Sequence, residues 1–323
     1  HAAEERLASV KAPDTRLDYL EEVFKPRKRT EATMEFVDLP GAGDAENAGL
    51  TKHLPSLRQA DALLIVLRAF ENPGAPAFRG RVDAAADLRL IREEMQVADF
   101  VICENRIERL EASIKKPTKD RDKQKAELDL LHQCRTALEE GKPLSEVIQT
   151  PEDEKSVRSF GFLTQKESVV AVNVNESAAS EEPPLTDPLA RETIAVCASI
   201  EAEIMGVEEA DRAAFMEEWG ITALARDRII RASFDALGMI CFLTAGEPEV
   251  RAWPIPRGFT AVEAAGKIHS DLARGFIRAE TLAFDDLHRV GSMREAKAQN
   301  LVRQEPKHYV VQDGDIMNIK FNV

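Results

Sequence analysis

The stretch Met34–Gly43, MEFVDLPGAG, limits what this chain can fold into more than any other. Its apolar run, Met34–Val37, ends in Asp38, and Leu39-Pro40-Gly41 follows at once. A parallel α/β sheet presents a carboxylate at its carboxyl edge in this way, as a buried strand ends in an acidic residue and a glycine turn. Asp-x-x-Gly is common by chance, and a plain strand running into a turn gives the same text. A second strand end gives the pattern weight. Val169–Glu176, VVAVNVNE, sets Asn173 and Glu176 just beyond another buried run.

At 323 residues the chain is long enough for about two domains and a sizeable core. With 44% apolar and 31% charged residues it is an ordinary globular composition, which excludes a disordered or fibrous chain. A net charge of −14 argues against a protein that coats nucleic acid indiscriminately, and no DNA partner is expected. It leaves room for a local basic surface, because screening makes binding depend on nearby charge. No stretch approaches the roughly 20 apolar residues that cross a bilayer, and HAAEERLASV is no signal peptide. Cys103, Cys134, Cys197 and Cys241 lie far apart with no C-x-x-C spacing. That fits reduced thiols better than a disulfide frame or a zinc site, so a cytoplasmic protein without membrane contact is expected.

Along the chain, Arg16–Phe24 reads as a short helix, and Lys25, Arg27, Lys28 and Arg29 as a solvated basic connection. Ala62–Phe70, ALLIVLRAF, is a buried strand, and Asp83–Asp99 an amphipathic helix. The composition then changes. Ile107, Leu110 and Ile114 form one apolar stripe, and Leu131, Cys134 and Leu138 another. Between them KKPTKDRDKQK carries Lys115, Lys116, Lys119, Arg121, Lys123 and Lys125. Two stripes facing each other across a charged tip predict an antiparallel helical hairpin inserted in an α/β pattern. The tip is either solvated or a contact surface for RNA phosphates or a partner. The α/β pattern resumes with Ser168–Asn173, the strand Thr193–Ser199 and helices over Glu208–Trp219 and Leu224–Leu237. After Met239 the spacing predicts a strand Glu249–Ile255 and a helix Ala261–Ala273 started by the Thr260/Glu263 capping box. A strand Phe276–Phe284, a short helix near Ser292–Leu301 and a hairpin of His308–Val311 with Ile316–Phe321 follow, the last with Asp313-Gly314 at its tip. This is a small β-grasp-like module.

RAWPIPRGFTAVEAAGKIHSDLARGFIRAE and the closing HYVVQDGDIMNIKFNV resemble the TGS domain of the Obg-like ATPases, YchF subgroup. PDTRLDYL at 13–20, MEFVDLPG at 34–41 and VNVNE at 172–176 carry the same resemblance along the rest of the chain. It implies a P-loop nucleotidase domain over 1–99 and 167–238, a helical hairpin insert over 100–166 and a TGS domain over 239–323. It also implies ATP and Mg²⁺ as ligands and the ribosome or RNA as partner. In such nucleotidases the Asp of D-x-x-G stands near the Mg²⁺ shell and the Gly amide near the γ-phosphate, here Asp38 and Gly41. The family reads its base with N-x-x-E, here Asn173, Val174 and Glu176, and Cys197-Ala198-Ser199 falls on its last base-contacting loop. A GTPase carries Asp in place of this Glu to take guanine's N1–H and N2–H₂, paired donors that adenine lacks on that edge.

The chain departs from the family pattern in three places. Gly141-Lys142 is followed by Pro143 and Gly266-Lys267 by Ile268, so neither is the phosphate-cradling glycine loop. The alignment places that loop upstream of His1. The segment after D-x-x-G is short, and Ile65 stands where relatives commonly carry histidine. Ala42 occupies the position of the water-orienting Gln of GTPases. The expectation is an ATP-binding protein with slow turnover in its full natural chain, and no general base can be named. The alternative is an inactive nucleotidase-derived adaptor that binds RNA or the ribosome through the hairpin tip and TGS domain.

Overall fold

The computed structural model describes residues 5–40, 50–74, 77–115 and 120–322. Gly41, Ala42, Lys116 and Lys119 lie outside the described residues. The chain opens with strand β1 (Arg6–Lys11), helix α1 (Thr15–Phe24), the two-residue strand β2 (Arg29–Thr30) and β3 (Thr33–Asp38). Helix α2 (Leu54–Gln59), β4 (Leu63–Arg68), α3 (Ala84–Ile114), α4 (Arg121–Glu139) and α5 (Pro151–Val157) come next. They are followed by β5 (Ser168–Asn173), β6 (Glu192–Val196), α6 (Ala198–Gly206), α7 (Arg212–Glu218) and α8 (Ala225–Ala236). The last part holds β7 (Met239–Ala245), β8 (Val250–Pro256), α9 (Ala261–Ile268), α10 (Ser270–Arg274) and β9 (Phe276–Ala283). Helices α11 (Phe284–Val290) and α12 (Met293–Ala298) and strands β10 (Arg303–Glu305) and β11 (Asp315–Phe321) complete it. Among the described residues no helix is long and apolar enough to cross a membrane.

The chain divides into two compact units, one of residues 39–229 with 1–4, the other of Glu5–Asp38 with Ile230–Val323. In the first, β4, β5 and β6 form a parallel sheet in that order, with Arg68 beside Asn173 and Asn173 beside Val196 at the carboxyl edge. Strand β5 is central and buried along Ser168–Val172, which is why its text is an unbroken apolar run. Leu88 of α3 and Ile200 and Ile204 of α6 pack on Val170, Val172 and Ala195.

Helix α3 is one element of 31 residues, where the sequence predicted a helix ending at Asp99 and a separate hairpin arm. Residues 84–114 contain no Pro or Gly to stop it, and its buried stripe runs through Leu88, Met95, Cys103, Ile107 and Leu110. Its outer half lies antiparallel to α4. Ser113 meets Gln124 and Arg106 meets Glu127, while Glu104 meets Arg135. Cys103, Ile107 and Leu110 pack there against Leu130, Leu131, Cys134 and Leu138. Burial pushes the Cys103 and Cys134 thiols up to about 12, which makes them packing groups and poor nucleophiles.

The arm is anchored by Asp99, which is wholly buried. Its carboxylate accepts hydrogen bonds from Arg58 Nη1 (3.0 Å), the Thr164 amide (2.8 Å) and the Thr164 hydroxyl (2.9 Å). Arg58 also donates to the carbonyls of Ala98 and Gly161. Gly161 has φ +56°, and a Cβ there would stand 2.6 Å from the Arg58 carbonyl oxygen, so the position excludes larger residues.

The second unit is a six-stranded mixed sheet in the order β10-β9-β11-β7-β8-β2. Ala261, Ala264 and Ala265 of α9 cover one face, against Phe242, Ile255 and Met317. Leu17 and Leu20 of α1, Leu287 of α11 and Ala296 of α12 cover the other, against Leu243, Val250, Ala252 and Leu282. The predicted hairpin of His308–Val311 with Ile316–Phe321 is not formed. Strand β11 pairs antiparallel with β9 and parallel with β7, and Val310 makes only a bridge to Thr260. The reason is burial on both faces: Ile316 enters one core and Met317 and Ile319 the other, so β11 needs a neighbour on each side.

The largest difference concerns β3. The sequence predicted a buried strand of a parallel sheet, but β3 pairs antiparallel with β1, Leu7 opposite Val37 and Arg6 opposite Asp38. Among its residues only Met34 is buried, and Asp38 is exposed. Of the basic run beyond α1, Lys25, Arg27 and Lys28 are exposed as a solvated connection requires, and only its last member, Arg29, joins the sheet. Arg29 and Thr30 lie parallel to Val250 and Arg251 as the edge of the six-stranded sheet.

Candidate functional site

The carboxyl edge of the parallel sheet gathers most of the residues expected at the base. Asn173 ends β5, and its side-chain oxygen accepts a hydrogen bond from the Ala198 amide at 3.2 Å. That bond joins the loop after β5 to the start of α6. It also occupies one acceptor site of the carboxamide oxygen and leaves the amide nitrogen free to donate among the described residues. The assignment follows from chemistry, since the Ala198 amide can only donate.

Val174 is 6% exposed and lies in the sheet core, with its amide donating to the Val196 carbonyl at 2.9 Å. Its side chain does not face the edge, so its share in the site is backbone geometry. Glu176 opens a short 3₁₀ turn, Glu176–Ala178, capped by Asn175, whose oxygen accepts from the Ala178 amide and the Ser177 hydroxyl. The turn leaves Glu176 exposed.

Cys197 is the N-cap residue of α6 and is buried, whereas Ala198 and Ser199 are exposed. The Cys197 sulfur and the Ser199 hydroxyl lie 3.3 Å apart. The sequence reading ran the strand through Ser199, but β6 stops at Val196 and α6 begins at Ala198. The exposed edge is therefore a helix N-terminus beside an amide and a carboxylate, a set of donors and one acceptor suited to a planar polar ring.

Sequence reasoning missed Arg68, the cross-strand neighbour of Asn173 at the same edge. Its Nε donates to the Phe70 carbonyl at 2.9 Å, and its guanidinium lies 5.0 Å from the Phe70 ring centre. The signal was available: one cation closes the otherwise apolar run LLIVLR.

Asp38 belongs to the other unit. It ends β3, exposed, and its side chain has no ion pair or hydrogen-bond partner among the described residues. Gly41 falls outside them. At the hairpin, Lys115, Arg121, Lys123 and Lys125 are exposed.

The comparisons with known proteins decide the family. The chain is 39% identical to the ribosome-binding ATPase YchF of Escherichia coli O157:H7, over 97% of this chain and 88% of that protein. The protein of the same name from Bacillus subtilis (strain 168) is also 39% identical over the same shares. The chain belongs to the YchF family. The family model YchF-GTPase_C, described as "Protein of unknown function (DUF933)", matches residues 239–322. The structure of the Schizosaccharomyces pombe YchF GTPase superposes with a TM-score of 0.84 at 26% identity, covering 99% of this chain and 88% of that one. A mixed α/β fold of the YchF type is thus common to the chain and its relatives. The names of those relatives span both ATPase and GTPase, so the choice of base has to be argued from the edge itself.

Proposed function

We propose that this YchF-family chain binds ATP in preference to GTP at the Asn173–Glu176 and Cys197–Ser199 edge, turns it over slowly in its full natural form, and works in association with the ribosome. The observation that carries the reading is the Asn173–Ala198 hydrogen bond. It ties the loop after β5 to the start of α6 and leaves the Asn173 amide nitrogen as a donor, on the same loop as the exposed carboxylate of Glu176. Adenine lacks the paired N1–H and N2–H₂ donors that favour Asp in guanine-specific sites. Glu176 is one methylene longer than that Asp, and the buried Val174 stands where a GTPase has a lysine.

Asp38 is proposed to serve the Mg²⁺ and γ-phosphate side. The chemistry of the position fits: Mg²⁺ is commonly held by one or two carboxylates, with phosphate and water completing its shell. The described residues hold no cluster of three or more ligating side chains, so an ion here would depend on the nucleotide's phosphates. When bound, Mg²⁺ would offset phosphate charge. The part left to the chain's own residues is to hold the base and to present one carboxylate.

The test is a nucleotide titration of the full natural chain. Glu176→Asp is expected to move the ATP/GTP affinity ratio at least about fivefold toward GTP, since one bidentate contact to a base is worth about 1–3 kcal/mol. Asn173→Ala is expected to weaken both nucleotides. An unchanged ratio in Glu176→Asp would mean that this carboxylate does not face the base.

A second reading, a ribosome- or RNA-binding adaptor, is favoured by the exposed cations at the start of α4. Residues 39–229 hold 24 Lys and Arg against 36 Asp and Glu, so a polyanion is repelled by most of the unit that bears the arm. With a Debye length of about 8 Å at physiological salt, the tip of a long arm keeps its own field. Reversing Lys116, Lys119 and Lys123 to Glu is expected to abolish co-sedimentation with ribosomes at an unchanged circular dichroism spectrum. Wild-type co-sedimentation would move the contact to the six-stranded unit, the TGS module of this reading.

A further inference from the structure

The amino edge of the parallel sheet, opposite the base edge, opens into a cleft of about 450 Å³. Small-molecule sites typically measure roughly 300–1,000 Å³. Its walls are α3 and the segments 143–146, 164–167 and 188–191, all within the first unit. Ser168 starts β5 and Asn173 ends it, so the cleft and the base edge lie about 17 Å apart along that strand. Arg92 is fixed in the wall. Its Nε and Nη2 donate to Asp187 at 3.0 and 2.6 Å, and Nη2 donates to the Ser168 hydroxyl at 2.7 Å. Asp187 is buried and also accepts the Leu189 amide at 3.0 Å. Nη1 of Arg92 stays unspent among the described residues. The Lys166 ammonium donates to the carbonyls of Arg58 and Ala60 and makes no ion pair among the described residues. Burial lowers its pKa from the ordinary lysine value, against the pull of Asp61 and Asp99. The exposed Arg191 guanidinium has no hydrogen bond or ion pair among the described residues. Glu146 and Glu167 line the same cleft, exposed, with carboxylates equally unspent. Met95 is buried at the wall, and Leu189 is 46% exposed beside it.

We infer that this cleft binds a small apolar zwitterion, of the size of an amino acid or dipeptide. Unspent groups of both signs line it, which sets the charge of the ligand. A plain anion would meet two carboxylates, and a plain cation three basic side chains. A molecule with one carboxylate and one ammonium answers both, while its apolar side chain covers Met95 and Leu189. The carboxylate would take charge-assisted hydrogen bonds from Arg92, Lys166 and Arg191, about twice as strong as neutral ones. Lys166 would gain the contact counter-ion it lacks, at a site where burial works against its charge. Asp187 and Ser168 already hold Arg92 in place, so little ordering is left for the ligand to impose. The inference goes beyond the nucleotide reading and does not depend on it.

The experiment is calorimetry of the full natural chain with L-leucine and L-leucyl-L-leucine. Two analogues carry one charge each: 4-methylpentanoate lacks the amine, and 3-methylbutylamine lacks the carboxylate. Hydrogen exchange at the Leu189 amide places the binding event. The expected result is saturable binding of at least one zwitterion, protection of that amide, and binding at least about tenfold weaker for both analogues. Arg191→Ala changes an exposed side chain and is expected to weaken the zwitterion at least about fivefold while Mg·ATP affinity is kept. Glu146→Gln with Glu167→Gln is expected to erase the preference for leucine over 4-methylpentanoate. Absence of saturable binding of either zwitterion overturns the inference. So does 4-methylpentanoate binding as tightly as leucine to the unaltered chain, or zwitterion binding that leaves Leu189 exchange unchanged and survives Arg191→Ala at full affinity.

Discussion

Replacing Arg16 by alanine is expected to be the most damaging single polar change in the six-stranded unit. The guanidinium reaches Asp14 twice, through Nε and Nη2 at 2.8 Å each, and Asp313 through Nη1 at 2.9 Å. Burial opposes its charge, but the hydrogen bonds and charges of the two aspartates more than offset it, and its pKa lies above the ordinary arginine value. Asp14 also caps α1, and Asp313 accepts the Cys241 amide at 2.8 Å, so the bridge ties a helix start, a turn and a strand. Breaking a fully buried pair costs about 3–5 kcal/mol because a charge is left unpaired. The Asp313 side chain is 50% exposed while that of Asp14 is 11%, so solvent relieves part of the loss. We therefore expect about 2–3 kcal/mol, and a fall of roughly 6–12 °C in the melting temperature of this unit. Differential scanning calorimetry of wild type, Arg16→Ala, Asp313→Ala and the double variant gives both the loss and the coupling. A loss under about 0.5 kcal/mol, or a double variant whose loss is the plain sum of the singles, would refute the bridge as the fastening of α1.

Acid is expected to weaken the pairing of β2 with β8. The Thr30 hydroxyl hydrogen bond, with help from Lys28 and Arg251, holds the Glu249 carboxyl below its ordinary value of 4.5. A depressed carboxyl contributes stability that is complete above its unfolded pKa and is lost as pH falls through the folded one. The urea-midpoint gap between wild type and Thr30→Val should therefore be full at pH 6 and shrink below about 4.5; a gap constant down to pH 3 contradicts this. Residues 239–322 expressed alone should bind an apolar dye and lack dispersed amide resonances, because Leu17 and Leu20 each contribute about 1.5–3 kcal/mol of burial. A peptide of residues 12–32 added in trans should reverse both signs, and a dispersed spectrum without the peptide would show α1 and β2 to be dispensable to this fold.

The parallel sheet was legible because β5 is buried on both faces and so writes itself as VVAV, with the base-edge residues directly after it. The hairpin was legible for a similar reason, since Ile107 and Leu110 must face Leu131 and Leu138 at helical spacing. What stayed hidden was set by partners remote in sequence. Strand β2 is two residues long and charged, and only its ladder to Val250 and Arg251 makes it a strand. Strand β1 alternates weakly and exposes Leu7, so no pattern announced it. Strand β7 was passed over because ICFL feeds two cores at once, Ile240 and Phe242 into one and Cys241 and Leu243 into the other. That gives an apolar run with no period to read. Arg68 went unnoticed because an arginine ending a buried strand looks like a plain exit to solvent.

The text MEFVDLPG shows where local reading stops. Its apolar run identifies a strand but not the sheet that strand joins, because pairing depends on which other strand is free to meet it. Here that strand is β1, and the loop between the two carries α1 and β2 into a sheet whose other strands begin some two hundred residues later. Asp38 thus ends a ribbon that belongs with the six-stranded unit, while Asn173 and Glu176 belong with the parallel sheet.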